Sequence, residues 1–137
     1  MTKDALRQQL DQLGPEPLAE EFDPAVLKQT SRSIKVALLD QRLVAGVGNI
    51  YASESLWRAR INPRRRASGL RPAELRRLRS AIVNAMRKAI AYGPRIYEVQ
   101  EFYVYERAGK PCRRCRAPIR RFVQAQRSTF YCPRCQK

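Results

Sequence analysis

The sequence predicts a mainly α-helical chain that closes with a small C-terminal β-hairpin module. Three observations predict it. Caps and Gly/Pro breaks mark short helices through the front of the chain, and from Pro72 apolar residues recur at steps of three and four. From Ile96 onward the pattern turns β-like: Tyr97, Val99, then Phe102, Tyr103, Val104 and Tyr105. Near the end, four cysteines fall into two tight pairs. A length of 137 residues suits one domain or two very small ones. It excludes a TIM barrel or a doubly wound dinucleotide-binding enzyme, which need roughly 200 residues or more of repeated βα units. With 44% hydrophobic residues, a packed core is expected.

The elements follow in order. A short helix is expected over Asp4 to Leu13, stopped by Gly14-Pro15. Asp23-Pro24 opens a second, to about Thr30, with Asp as N-cap and Pro at the first helical position. Ser33 caps a third, through Ile34, Ala37 and Leu38 to Asp40. A turn over Arg42 to Asn49 leads into a helix from Ile50 to about Arg60, ended by Pro63. Arg64 to Gly69 reads as a loop. Pro72 opens the longest helix, to about Tyr92, with Leu75, Leu78, Ile82, Met86 and Ile90 on one stripe; Gly93-Pro94 stops it. Residues 1–95 are expected to form the helical domain and 96–137 the cysteine module.

Charge narrows the function. The chain carries 28 Lys and Arg against 12 Asp and Glu, a net charge of +16. Residues 1 to 56 hold 6 basic and 8 acidic side chains, whereas residues 57 to 137 hold 22 and 4. A small domain does not need such a charge for solubility, so a polyanionic partner is implied. Nucleic acid is favoured over membrane, because the longest uncharged stretch, Leu43 to Ser53, has 11 residues and is broken by two glycines and an asparagine. The start Met1-Thr2-Lys3-Asp4 has no apolar signal core, so a cytoplasmic, nucleoid-associated location is expected. Histidine is absent, which excludes Ser-His-Asp and Cys-His catalysis and any His-ligated metal.

The cysteines read Cys112-x2-Cys115, sixteen residues, then Cys132-x2-Cys135. Each pair puts two thiolates on one turn, and two turns complete a tetrahedron around Zn²⁺. Two disulfides or a redox pair are the alternatives. Four thiolates close the coordination sphere, so one structural, non-catalytic zinc is expected. Residues Ile119 to Tyr131 are expected to form a β-hairpin that brings the two turns together. Arg113, Arg114, Arg116 and Arg134 flank the ligands and offset their charge. Apolar material is thin here, so metal binding should supply most of the folding free energy.

Gly46-Val47-Gly48-Asn49 precedes a helix. Glycines let backbone approach a phosphate closely, and a helix start offers free N–H groups with partial positive charge. Asn49 can cap that helix and donate its amide to a phosphate oxygen. The bland alternative is a purely structural turn.

Several runs together carry a resemblance. They are Leu13-Gly-Pro-Glu-Pro-Leu18, Ile34-Lys35, Leu39-Asp40-Gln41, Gly46-Val47-Gly48-Asn49-Ile50-Tyr51-Ala52, Glu54-Ser55-Leu56 and Ile61-Asn62-Pro63. To these the C-terminal part adds Val104-Tyr105, Pro111-Cys112, Pro118-Ile119 and Gln126-Arg127-Ser128-Thr129-Phe130-Tyr131-Cys132-Pro133. From about residue 13 to 136 the chain resembles the C-terminal half of the formamidopyrimidine-DNA glycosylase family. The resemblance implies a helix–two-turn–helix bundle followed by a zinc finger, gripping bent, damaged double-stranded DNA. It implies that Asn49, with Gly46 and Gly48, binds phosphates beside the lesion. Lys35 would support that grip, and Arg127 in the finger hairpin would bind phosphate.

The family's catalytic Pro-Glu start and β-rich domain are not matched by Met1-Thr2-Lys3. No catalytic residue is therefore expected, and the chain should bind DNA without cleaving glycosidic bonds on its own, with a separate catalytic domain as a possible partner. Glu106 and Arg116 stand where the family usually has Gly. The segment 94–101 is shorter than the family's Gly-rich stretch over the extruded base. RNA is a possible partner, in a stand-alone or ribosome-associated structural protein derived from the same module.

Overall fold

A computed structural model describes residues 23–96 and 101–137. The expected helix over Asp4 to Leu13 and the residues Tyr97 and Val99 lie outside them. Asp23 accepts a hydrogen bond from the Ala25 amide at 2.9 Å, and Pro24 opens a helix as expected. That helix, Pro24–Gln29, is a tight 3₁₀ helix instead of an α-helix. Helix α1 spans Ile34–Leu39. Ser33 occupies its N-cap as expected but makes no side-chain capping bond; its hydroxyl accepts from Gln124 Nε2 at 3.1 Å instead. Helix α2 spans Asn49–Ala59 and ends at Arg60, which takes left-handed backbone (φ 63°). The loop after Pro63 contains a short 3₁₀ turn, Ala67–Gly69.

Helix α3 spans Pro72–Tyr92, with both ends where the Pro and Gly signals put them. The Glu74 carboxylate accepts from the Arg71 amide at 3.0 Å and pairs with Arg65 at 2.8 Å. Those donors hold Glu74 down at about 2, Arg65 contributing most. Leu75, Leu78 and Ile82 are buried and Met86 is partly so. Ile90, placed on the same stripe by its spacing, is 70% exposed, because α3 outruns the body of the described residues.

The main core joins Leu27, Ile34, Leu38, Val44, Val47, Leu56, Ile61 and Leu70 to the α3 stripe. Each fully buried Leu or Ile contributes about 1.5–3 kcal/mol. A second cluster packs Val104, Cys112, Ile119, Phe130 and Cys132 around Trp57, which comes from α2. Strands β1 (Arg120–Gln124) and β2 (Arg127–Tyr131) pair antiparallel, with Gln124 opposite Arg127. Ala125 and Gln126 close the hairpin with positive φ at both positions (47° and 67°), as a primed two-residue turn requires.

The β-like reading of Phe102 to Tyr105 is overturned, since no strand forms there. The amides of Tyr103, Val104 and Tyr105 instead donate to the carboxylate of Glu54 on α2, at 2.6, 2.8 and 3.2 Å. A side chain has taken the hydrogen bonds a neighbouring strand would have supplied. No described helix is long and apolar enough to cross a membrane.

Candidate nucleic-acid interface and metal centre

The glycine turn is held by one side chain. Gln41 accepts from the Gly46 amide at 2.7 Å and donates to the Val47 carbonyl at 3.2 Å. Gly46 sits at φ +90°, where a side chain would be strained. A Cβ on Gly46 or Gly48 would meet nothing within 4 Å, so the outer face of the turn is open to a ligand. Gly48, not Asn49, occupies the N-cap, and no side chain caps α2. The expected capping role of Asn49 is therefore overturned. A helix begun on glycine keeps amide donors and partial positive charge at its first turn.

Asn49 is the first residue of α2 and is tied to the finger. Its Nδ2 donates to the Ser128 carbonyl at 3.1 Å, and its Oδ1 accepts from Lys35 Nζ at 2.6 Å. Lys35 is fully buried. Its ammonium also donates to Thr129 Oγ1 at 2.7 Å and to the Ser128 carbonyl at 3.1 Å. Lys35 thus joins α1, the start of α2 and β2 at one point. Burial, aided by repulsion from Arg127, lowers it from 10.5 to about 8.

Arg127 follows the hairpin turn, exposed, and its guanidinium engages no acceptor among the described residues. It lines a cleft of about 450 Å³ together with Gly46, Gly48, Asn49 and Tyr105. An adjoining cleft adds Glu106, Gln126 and Ser128. The five residues singled out in sequence thus meet at one place, four on the cleft wall and Lys35 behind it. Two cations within Coulombic reach of each other, Lys35 and Arg127, make a site that an anion relieves.

The hairpin is fixed to the helical body by side chains. Gln124 donates to Ser33 Oγ and to the Pro63 carbonyl, both at 3.1 Å. Arg64 lies 3.8 Å over the Phe122 ring and donates to Tyr131 Oη at 2.6 Å. Sequence reasoning missed Glu54 and Trp57, both central to this docking. The signal was present: Glu54 is the only charge between Arg42 and Arg58, and a lone charge in a buried helix needs partners. Burial raises the Glu54 carboxyl above its ordinary value even though three amides pull it down.

None of the four cysteines is in a disulfide. Their sulfurs lie within 4.8 Å of one another, with Cys112 to Cys135 at 3.9 Å and Cys115 to Cys132 at 3.4 Å. A zinc tetrathiolate with Zn–S bonds of about 2.3 Å needs sulfurs about 3.8 Å apart, so these residues fit one zinc ion as its complete ligand set. When bound, it supplies a structural cross-link between the two cysteine turns. The amides of Arg114 and Cys135 donate to Cys112 Sγ and Cys132 Sγ, each at 3.4 Å. Burial opposes the thiolate at Cys112, but amide donors and the Trp57 indole outweigh it and bring the thiol down to about 6. At Cys132 burial prevails and pushes the thiol up to about 12.

Comparison with known proteins agrees with both halves of this arrangement. Residues 13–101 match the formamidopyrimidine-DNA glycosylase H2TH domain, and residues 109–137 match the zinc finger found in FPG and IleRS. The formamidopyrimidine-DNA glycosylase of Chloroflexus aurantiacus is 44% identical over 139 residues, covering 90% of this chain and 50% of that protein. The Geobacillus kaustophilus protein of that name is 46% identical over 147 residues, covering 96% and 54%. Lactococcus lactis Fpg, solved in complex with DNA containing an abasic site, superposes with a TM-score of 0.86 at 34% identity, over 99% of this chain and 56% of that one. MutM (Fpg) of Thermus thermophilus gives 0.85 at 39% identity, over 98% and 57%. The chain spans about half the length of the curated relatives it matches.

Proposed function

The chain belongs to the formamidopyrimidine-DNA glycosylase family, and from that premise we propose that it grips the sugar-phosphate backbone of bent, damaged double-stranded DNA. In this reading residues 1–95 form the helix–two-turn–helix unit and 96–137 the zinc finger. Asn49 and the open glycine turn at Gly46 and Gly48 take one part of the backbone. Arg127 takes phosphate from the finger side, where its planar guanidinium suits bidentate contact. Lys35 positions both from behind. The observation that carries the proposal is the shared cleft between the start of α2 and the hairpin.

Base excision itself is assigned to groups other than these. Three described carboxylates are engaged structurally: Glu54 on three amides, Glu74 on Arg65 and Arg71, Asp40 on Arg32 and Arg42. A separate catalytic domain is a second partner in this reading, and nucleoid association a consequence of it. Binding at one fixed salt concentration to a duplex with an abasic-site analogue, an intact duplex and a folded RNA tests the proposal. Preference for the abasic duplex is expected. Preference for RNA would replace it with a structural RNA-binding role. Borohydride trapping of a covalent complex with abasic DNA by this chain alone would show that it also performs chemistry.

A further inference from the structure

Trp57 is the only tryptophan of the chain. It lies on α2, yet packs in the finger's core, with 6% of its surface exposed. Its ring is held from two directions. Tyr103 stacks on it, centroids 4.3 Å apart and planes 14° from parallel. The Arg114 guanidinium lies 4.0 Å from the ring centroid, and Arg114 Nη2 donates to the Trp57 carbonyl at 2.8 Å. The indole N–H is thereby aimed at one atom, Cys112 Sγ, at 3.3 Å.

A phenyl ring would fill most of this space and keep both ring contacts. It would not supply the N–H. Packing alone therefore does not account for a donor directed at a metal-ligating sulfur. A hydrogen bond to a coordinated thiolate withdraws electron density from it and fixes its direction, as outer partners do at other metal sites. We propose that Trp57 is a positioning residue of the zinc centre: its indole N–H donates to the Cys112 thiolate and registers the finger's first cysteine turn against α2. Zinc binding would then be set in part by a helix outside the finger, the same helix that carries Asn49 at its other end.

The test uses the full chain with its metal exchanged. In protein loaded with NMR-active cadmium, the single indole proton should show scalar coupling to the metal through the N–H···S bond. In Trp57→Phe, zinc transfer to a chelator should be about three- to tenfold faster, as loss of one hydrogen bond of ordinary net strength implies. The sulfur-to-metal band of the Co²⁺-substituted variant should move to lower energy, because the thiolate becomes a better donor. A role in packing alone moves neither the coupling nor the band. Absence of coupling in the parent protein overturns the proposal, and so does a folded Trp57→Phe with unchanged release and an unmoved band. The coupling measurement needs no variant, so it decides the matter even where Trp57→Phe fails to fold.

Discussion

Lys35 Nζ lies 2.6 Å from Asn49 Oδ1, which joins a buried cation on α1 to the first residue of α2. With the Ser128 and Thr129 contacts, this bond places the open start of α2 beside the finger hairpin. Loss of Asn49 removes one of three acceptors from the buried ammonium, and loss of Lys35 removes the donor common to all three, so the geometry of the cleft depends on the pair.

Lys35 should make the proposed grip sensitive to pH. Its folded value of about 8 lies below the ordinary 10.5. Between those values the unfolded chain holds the extra proton, so stability rises with pH across that window; below pH 8 both states are protonated and the burial cost is constant. Bound phosphate favours the ammonium, so DNA affinity should hold below pH 8 and fall above it. Anisotropy titrations at fixed ionic strength, from neutral to about pH 10, check this. Lys35→Met should bind more weakly and lose that part of the profile.

Arg127→Ala should weaken duplex binding by about 1–3 kcal/mol, with circular dichroism unchanged. It should also reduce the slope of log affinity against log salt by about one. Asn49→Ala should cost a similar amount but leave the salt slope nearly intact, since no charge is lost. Equal affinity for both variants and the parent would remove these residues from the interface.

Glu106 and Arg116 occupy left-handed backbone, at φ 57° and 71°. Both are positions where the family resemblance expects Gly. Glu106→Gly and Arg116→Gly should each stabilise the chain by about 0.5–1 kcal/mol, by removing strain that exceeds glycine's entropic cost. Glu106 also lines the cleft with Arg127. Its replacement should tighten DNA binding, whereas Arg116→Gly should not. Thermal melts and binding isotherms of the two variants separate the effects.

Metal removal should unfold the finger while leaving the helical core folded. The finger's apolar cluster is small and includes two of the ligands themselves, Cys112 and Cys132. Chelation should abolish the hairpin's cross-strand NMR contacts and reduce DNA affinity at least as far as Arg127→Ala. Unchanged affinity after complete chelation would show that the helices bind alone.

Much of this protein was legible as a string. The bounds of α3, the cysteine ligands and the hairpin follow from local rules, because Pro, Gly, apolar spacing and paired thiols each act within a few residues of chain. The turn at Gly46 to Asn49 was legible too, although its capping residue was misassigned: Asn and Gly both suit an N-cap, and only the fold decides which of two neighbours takes it. What tertiary structure alone decided is the use of long-range partners. Glu54 prevents a strand at residues 103–105, Lys35 vanishes into the interior, and Trp57 leaves its own helical core for the finger. Each depends on groups some 50 to 95 positions away in sequence, and no periodicity or spacing rule reaches that far.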